Sequence, residues 1–178
     1  MKAASFEIRN ARPSEFVSTG QMMVRVYSGL PGFPGPHEQP RYYQMLSQIG
    51  DQTKKPLTEL IVAVSDSGNV LGGVVYFGDM QFYGSGGTAI DESNAAGFRL
   101  LAVDPDSRGL GIGKALSKEC IKRAKESGQK QVIIHSTKSM QIAWKMYEKL
   151  GFKRSQDLDF NQESLPVFGF RLVFAKSL

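Results

Sequence analysis

Two stretches of the chain hold residue types and spacings suited to chemistry. The first is Leu101-Ala102-Val103-Asp104-Pro105-Asp106-Ser107-Arg108-Gly109-Leu110-Gly111-Ile112-Gly113-Lys114. An apolar run ends at Asp104-Pro105, and a glycine-rich turn then opens directly into a segment of helical period. Glycines let backbone N–H groups approach a ligand with no Cβ in the way, and a helix N-terminus adds about half a positive charge. That combination suits phosphate oxygens, and Arg108 and Lys114 add cationic side chains beside it. A purely structural turn is the competing reading. Two familiar phosphate loops are excluded by spacing. A Walker loop places four residues between its first glycine and a Gly-Lys followed by Ser or Thr; here three residues separate Gly109 from Gly113-Lys114, and Ala115 follows. The dinucleotide fingerprint fails as well, because its third glycine position holds Lys114 counted from Gly109 and Leu116 counted from Gly111. The second stretch, Ala143-Trp144-Lys145-Met146-Tyr147-Glu148-Lys149-Leu150-Gly151-Phe152, carries a tyrosine at helical spacing with Ala143 and Leu150.

Together the two stretches resemble the GNAT superfamily of N-acetyltransferases. Arg108-Gly109-Leu110-Gly111-Ile112-Gly113 matches its acyl-CoA signature Gln/Arg-x-x-Gly-x-Gly/Ala, the preceding Leu-Ala-Val-Asp-Pro is typical of it, and the Ala143–Phe152 segment follows at the family's distance. The clear resemblance runs from Phe98 to Phe152. It implies an α/β fold of mixed α+β type: one domain over residues 1–178, with a central mixed, mostly antiparallel twisted sheet flanked by helices and splayed at the acyl-CoA site. In the family the pantetheine arm lies between two splaying strands, which by position are Phe98–Val103 and Val132–His135. The implied co-substrate is acetyl-CoA, with no metal. Leu101, Ala102 and Val103 would meet the pantetheine and acetyl group through their backbone. The amides of Arg108, Gly109, Leu110, Gly111, Ile112 and Gly113 would hold the pyrophosphate, with Lys114 adding charge.

The implied reaction is direct transfer of an acetyl group to a primary amine of a small molecule. Tyr147 matches the family tyrosine that protonates the departing sulfur; its alternative is a core aromatic. The family's pattern is broken at two positions. Many relatives carry Glu as general base where this chain has Gly97, and an Asn that contacts the cofactor arm where it has Met140. A water chain, Asp91, Glu92, Glu38 or His135 remain as routes for the amine proton, each of the four side chains reading more readily as surface or structural. Arg99 shares a face with Leu101 if the strand alternates regularly, where it pairs with a carboxylate or greets an anionic substrate. Phe33, Phe82 and Tyr83 are candidates to line the acceptor pocket, His37 reads as exposed, and Cys120 reads as core.

The elements that must position these residues follow from pattern. Phe6–Arg9 reads as a first strand, and Ser14 as the cap of a helix reaching Tyr27. Ser28–Pro40, rich in Pro and Gly, reads as loop; a helix follows from about Arg41 to Ile49. Leu60–Val64 and Val70–Tyr76 form a hairpin about Asp66-Ser67-Gly68-Asn69. Gly84–Thr88 reads as a flexible stretch. Phe98–Val103 and Val132–His135 are strands, Gly109–Ser127 a helix stopped by Gly128, and Met140–Leu150 a helix stopped by Gly151. Phe152–Arg154 and Phe168–Ala175 close the sheet.

Composition sets the outer limits. With 178 residues, 41% hydrophobic and 22% charged, the chain has an ordinary globular balance. Cys120 is the sole cysteine, so no internal disulfide forms, and a reducing, cytoplasmic setting is expected. There is no apolar run of membrane length and no signal-peptide core at the start. The net charge of +5 permits nucleic-acid binding, but no zinc spacing or RNA-binding aromatic motif accompanies it. A catalytically silent CoA-binding sensor and a protein N-terminal or lysine acetyltransferase are the other readings, and a homodimer is compatible with the resemblance.

Overall fold

The computed structural model describes residues 5–175. Alternating and β-branched runs give strands β1 (Phe6–Asn10), β2 (Thr58–Ser65), β3 (Val70–Phe77), β4 (Ala95–Val103), β5 (Gln131–Ser136), β6 (Lys153–Arg154), β7 (Phe160–Gln162) and β8 (Leu165–Val173). The helices are α1 (Phe16–Ser28), α2 (Pro40–Ser47), α3 (Ile112–Glu126) and α4 (Gln141–Lys149). The sheet order is β1-β2-β3-β4-β5-β8-β6, with β7 paired to β8. Pairing is antiparallel between β1 and β2 and between β8 and each of β5, β6 and β7, whereas β4 and β5 run parallel. A parallel pair needs a long crossover, and α3 supplies it.

The described residues form two compact units, 5–75 with Leu100–Glu119, and Tyr76–Arg99 with 120–175. In the first, β3 carries Gly72 and Gly73 on opposite faces. A Cβ at Gly72 would stand 2.7 Å from Ile112 and 3.3 Å from Leu116, while one at Gly73 would meet Thr19 at 3.2 Å and Met23 at 3.3 Å. Two side-chain-free positions thus let α3 pack on one face of the strand and α1 on the other. Gly20 plays the same part between helices, since a Cβ there would overlap the Leu46 and Ser47 carbonyls of α2. Arg9 donates to both Glu15 carboxylate oxygens at 2.8 and 2.9 Å, which holds that carboxyl down to about 2 and ties β1 to the start of α1.

In the second unit β5 is buried on both faces through Val132, Ile133 and Ile134. Phe98, Tyr147 and Phe152 pack edge-on at 5.9–6.1 Å on one side. Phe77 meets Tyr83 at 5.4 Å in a separate contact.

Several elements differ from their sequence reading. Ser14 caps nothing: Pro13 opens a 3-10 turn over Pro13–Glu15, and α1 starts at Phe16. α3 begins at Ile112 rather than Gly109, because Gly109 and Gly111 sit at φ +83° and +80°, outside helical space. β7 was not expected; its hairpin to β8 turns at Glu163, φ +56°, without a glycine to mark it. Gly84–Thr88 is pinned rather than free, with Phe160 packed against Gly86 and Gly87 and Thr88 donating to the Asp157 carbonyl.

Candidate active site

The glycine loop lies in the first unit. Asp104 anchors its entry: the Asp104 N–H donates to the Leu71 carbonyl at 2.8 Å, its carboxylate accepts from Asp106 N–H at 3.0 Å, and Arg25 pairs with it at 3.1 Å. After the turn, Ala115 N–H donates to the Gly111 carbonyl at 3.0 Å, starting the ladder of α3. Between these bonds, the amides of Arg108–Gly113 donate to no group among the described residues. Open space surrounds Gly109 and Gly111, with no atom within 4 Å of a Cβ built at either. Arg108 and Lys114 are exposed and have no carboxylate partner among the described residues. Unused N–H groups at the positive end of a fifteen-residue helix, flanked by unpaired cations, fit a pyrophosphate.

β4 leads into that loop and is irregular in two places. Its register with β5 covers Ala95↔Gln131, Ala96↔Val132 and Gly97↔Ile133 and goes no further. Three residues on, Leu100 adopts φ +63°, a left-handed conformation that costs a non-glycine residue about 1–2 kcal/mol. The backbone pleat is thus interrupted between Arg99 and Leu101, yet burial still alternates through it, with Arg99, Leu101 and Val103 half-buried and Leu100 and Ala102 buried. Leu101 and Val103 are half-buried and Ala102 is buried; the Leu101 carbonyl accepts from Tyr27 O–H at 2.8 Å. No sequence signal marks Leu100, because leucine is not a residue that advertises positive φ.

Gly97 explains its own identity. A Cβ there would stand 2.8 Å from the Ile133 carbonyl oxygen, 2.8 Å from Met80 Sδ and 3.2 Å from the Tyr83 ring. Met80 and Tyr83, both fully buried, occupy the volume a side chain at 97 would need. Tyr83 accordingly does not line an open pocket. Phe82 is half-buried, and Phe33 packs against Tyr27 and Tyr42 at 5.7 and 5.8 Å.

The candidate bases are separated by their partners. Glu92 is held by Arg171 at 2.7 Å, Glu38 accepts from Gly35 N–H, and Asp91 and His37 are exposed. His135 is engaged through both nitrogens. Its Nε2 lies 2.9 Å from the Leu158 carbonyl, which only accepts, so Nε2 carries the proton. Nδ1 then accepts from Tyr83 O–H at 3.0 Å. Burial, opposed by the bond to Leu158, brings His135 down to about 4, so it is neutral at physiological pH. The Leu158 carbonyl is fixed by its neighbour in the chain: Asp159 takes both Arg154 donors at 2.9 and 2.7 Å and accepts from Gly169 N–H at 2.7 Å.

This arrangement carries a stability consequence. The unfolded histidine binds a proton below about 6.5, whereas the folded one does so only below about 4. Stability contributed by neutral His135 is therefore complete above about 6.5 and falls by up to about 3 kcal/mol as pH drops to about 4. His135→Gln is expected to be less stable at neutral pH but to show a flatter denaturation midpoint between pH 6.5 and 4.5, measured by urea titration at each pH.

Tyr147 is 6% exposed, wedged between Phe98 and Phe152, and burial raises its phenol well above the ordinary range. Its hydroxyl has no hydrogen-bond partner among the described residues. Two further groups escaped the sequence reading. Ser136 and Thr137, 2% and 4% exposed at the end of β5, have hydroxyls with no partner among the described residues. Thr137 even occupies the cap position of the Lys138–Met140 turn without capping it. Such orphan hydroxyls cost about 1–3 kcal/mol each, and nothing in the local sequence reveals them. They stand just before Met140. Cys120 is a buried core thiol, as read.

Solved structures share this fold. A PaiA N-acetyltransferase from Thermoplasma acidophilum, in complex with coenzyme A, superposes with a TM-score of 0.73 at 16% identity over 96% of this chain and 99% of that one. yncA from Salmonella typhimurium, a putative acetyltransferase with its cofactor acetyl-CoA, gives 0.68 at 12% identity over 98% and 97%. Among curated proteins, an N-acetylaspartate synthetase of Danio rerio is 36% identical over 64 residues, covering 36% of this chain and 23% of that protein. A mycothiol acetyltransferase of Geodermatophilus obscurus is 34% identical over 55 residues, 31% of this chain and 18% of that protein. The chain thus spans about a quarter or less of the length of these curated relatives in the matched region. No helix among the described residues is long and apolar enough to cross a membrane. The model of the acetyltransferase (GNAT) family matches residues 22–152, and the chain belongs to that family.

Proposed function

We propose that the protein is an acetyl-CoA-dependent N-acetyltransferase acting on a primary amine of a small molecule. The observation that carries this reading is the Arg108–Gly113 loop, with its unused amides, two glycines at positive φ and unpaired cations at the start of α3. The loop amides and Arg108 hold the pyrophosphate, Lys114 adds charge, and the backbone of Leu101, Ala102 and Val103 meets the pantetheine and acetyl group. In the second unit, Thr137 and Ser136 carry orphan hydroxyls that a hydrogen-bonding ligand would satisfy. The single buried cysteine suits a reducing, cytoplasmic setting.

The chemistry is one bond exchanged for another. The amine nitrogen attacks the thioester carbonyl carbon, a C–N bond forms and the C–S bond breaks. The nitrogen loses one proton and the sulfur gains one. Tyr147, kept protonated by burial, donates to the departing thiolate. No side chain replaces the missing glutamate: Gly97 has none, and the lone pair of His135 is taken by Tyr83. The amine must therefore arrive neutral or lose its proton to water. kcat/KM is expected to rise tenfold per pH unit up to the acceptor's own pKa, and the limb should move when the acceptor is changed. A limb that stays fixed across acceptors would point to a protein base.

The filled space at Gly97 also favours a second reading, a CoA-binding domain without turnover. Release of free thiol from acetyl-CoA across an amine panel separates the two, since a silent domain binds acetyl-CoA and releases none. Thr137→Val tests the arm. Removing an orphan hydroxyl should hold or raise the melting temperature of the free protein while weakening acetyl-CoA about 5- to 10-fold, the worth of one hydrogen bond. Unchanged affinity would free Thr137 of that role.

A further inference from the structure

Arg99 is a part-buried arginine of the second unit. Arg154 faces Asp159, and Arg171 faces Glu92 and Asp157. Arg9 of the first unit likewise faces Glu15. Arg99 has no carboxylate within ion-pair distance among the described residues. One Nη1–H donates to the Tyr83 carbonyl at 2.9 Å, and the guanidinium sits 5.5 Å from the centre of the Tyr83 ring. Its Nε–H and Nη2 donors are unused among the described residues. A half-buried guanidinium with two donors unused and no carboxylate beside it can accept an anion from outside.

The surroundings narrow that anion. Tyr83 and His135, joined by their own hydrogen bond, are both uncharged, so the site offers a single positive charge. One guanidinium with an open two-donor edge matches the planar fork of a monoanionic carboxylate. Arg99 lies two residues along β4 from Gly97, the position where the family resemblance implies a glutamate base in many relatives. Resting on the acetyltransferase reading above, we propose that the acceptor is an amino acid, its amine acetylated and its carboxylate held by Arg99. Tyr83 is then a positioning residue: its carbonyl and ring fix the guanidinium, and its ring joins Met80 and the Ile133 carbonyl in crowding a side chain at 97.

Paired acceptors test this. Amino acids and the corresponding amino-acid amides present the same amine with and without the carboxylate. Wild-type kcat/KM, corrected to the neutral amine, should favour the free acids by about 10- to 100-fold, the range for a charged hydrogen-bonded contact. Arg99→Gln should bring the two within about threefold of each other by raising the acceptor KM while leaving the acetyl-CoA KM unchanged. Arg99→Lys, which keeps the charge, should retain part of the preference and serves as the folding control. The proposal is overturned if amides are acetylated as well as acids, if Arg99→Gln slows both equally, or if no amino acid is acetylated. Calorimetric binding of acetyl-CoA to the same sample tells the failures apart: binding retained means that only the substrate class is wrong, binding absent means that the acetyltransferase reading has failed.

Discussion

Tyr147→Phe is expected to lower kcat by about 10²- to 10⁴-fold, the usual worth of a positioned general acid, with acetyl-CoA affinity changed by less than about twofold. The substitution is unusually clean. The ring contacts with Phe98 and Phe152 remain, and the hydroxyl has no partner among the described residues to orphan, so stability should hold. Burial explains both halves of the expectation. It keeps the phenol protonated at every working pH, and the same apolar surroundings raise the proton affinity of a thiolate released beside it. Transfer between the two then runs closer to balance than it would in water. Stopped-flow detection of released thiol, alongside calorimetric titration of acetyl-CoA, measures the split. Equal loss of turnover and affinity would make Tyr147 a packing residue.

Restoring the family's usual residue should do harm. Gly97→Glu places a Cβ 2.8 Å from the Ile133 carbonyl, which belongs to a strand buried on both faces and paired on both edges, and 2.8 Å from Met80 Sδ. Backbone cannot yield as a side-chain tip can. The rest of the new side chain would have to enter space that Met80 and Tyr83 already fill. Overpacking on this scale is expected to cost about 3 kcal/mol or more, enough to leave little folded protein. Gly97→Ala, with the overlap but no charge, should lose about 1–3 kcal/mol by urea denaturation. A Gly97→Glu protein of wild-type stability and faster turnover below pH 7 would show that the space can be opened and that a base was simply missing.

These two positions also show what a sequence carries and what it does not. The Arg108–Gly113 loop is legible because its conformation is written in residue type: glycine stands at 109 and 111, where φ exceeds +80° or reaches it. Gly128 and Gly151, at φ +82° and +103°, end α3 and α4 for the same reason. The mixed, mostly antiparallel sheet was legible only through the family resemblance. Leu100 was not, since tertiary packing rather than residue type holds it at φ +63°. Tyr83 and His135 meet across 52 positions of chain, and no local pattern announces such a pair. Their meeting turns a candidate base into a neutral structural histidine and a candidate pocket wall into the plug beneath Gly97. The orphan hydroxyls of Ser136 and Thr137 are invisible for a related reason, because an unmet hydrogen bond is a property of surroundings and not of sequence.

The central claim is that acetyl-CoA binds through the glycine loop, and calorimetric titration of acetyl-CoA into wild-type and Gly111→Trp protein tests it most directly. Gly111 is exposed, at φ +80°, with open space around it. Tryptophan there should leave the core folded while straining the loop and covering its amides. One-to-one binding by the wild type, weakened at least about tenfold in the folded variant, about 1.4 kcal/mol, is the expected result. No binding by folded wild-type protein, or equal binding by the variant, would contradict it and return Arg108–Gly113 to the role of a structural turn.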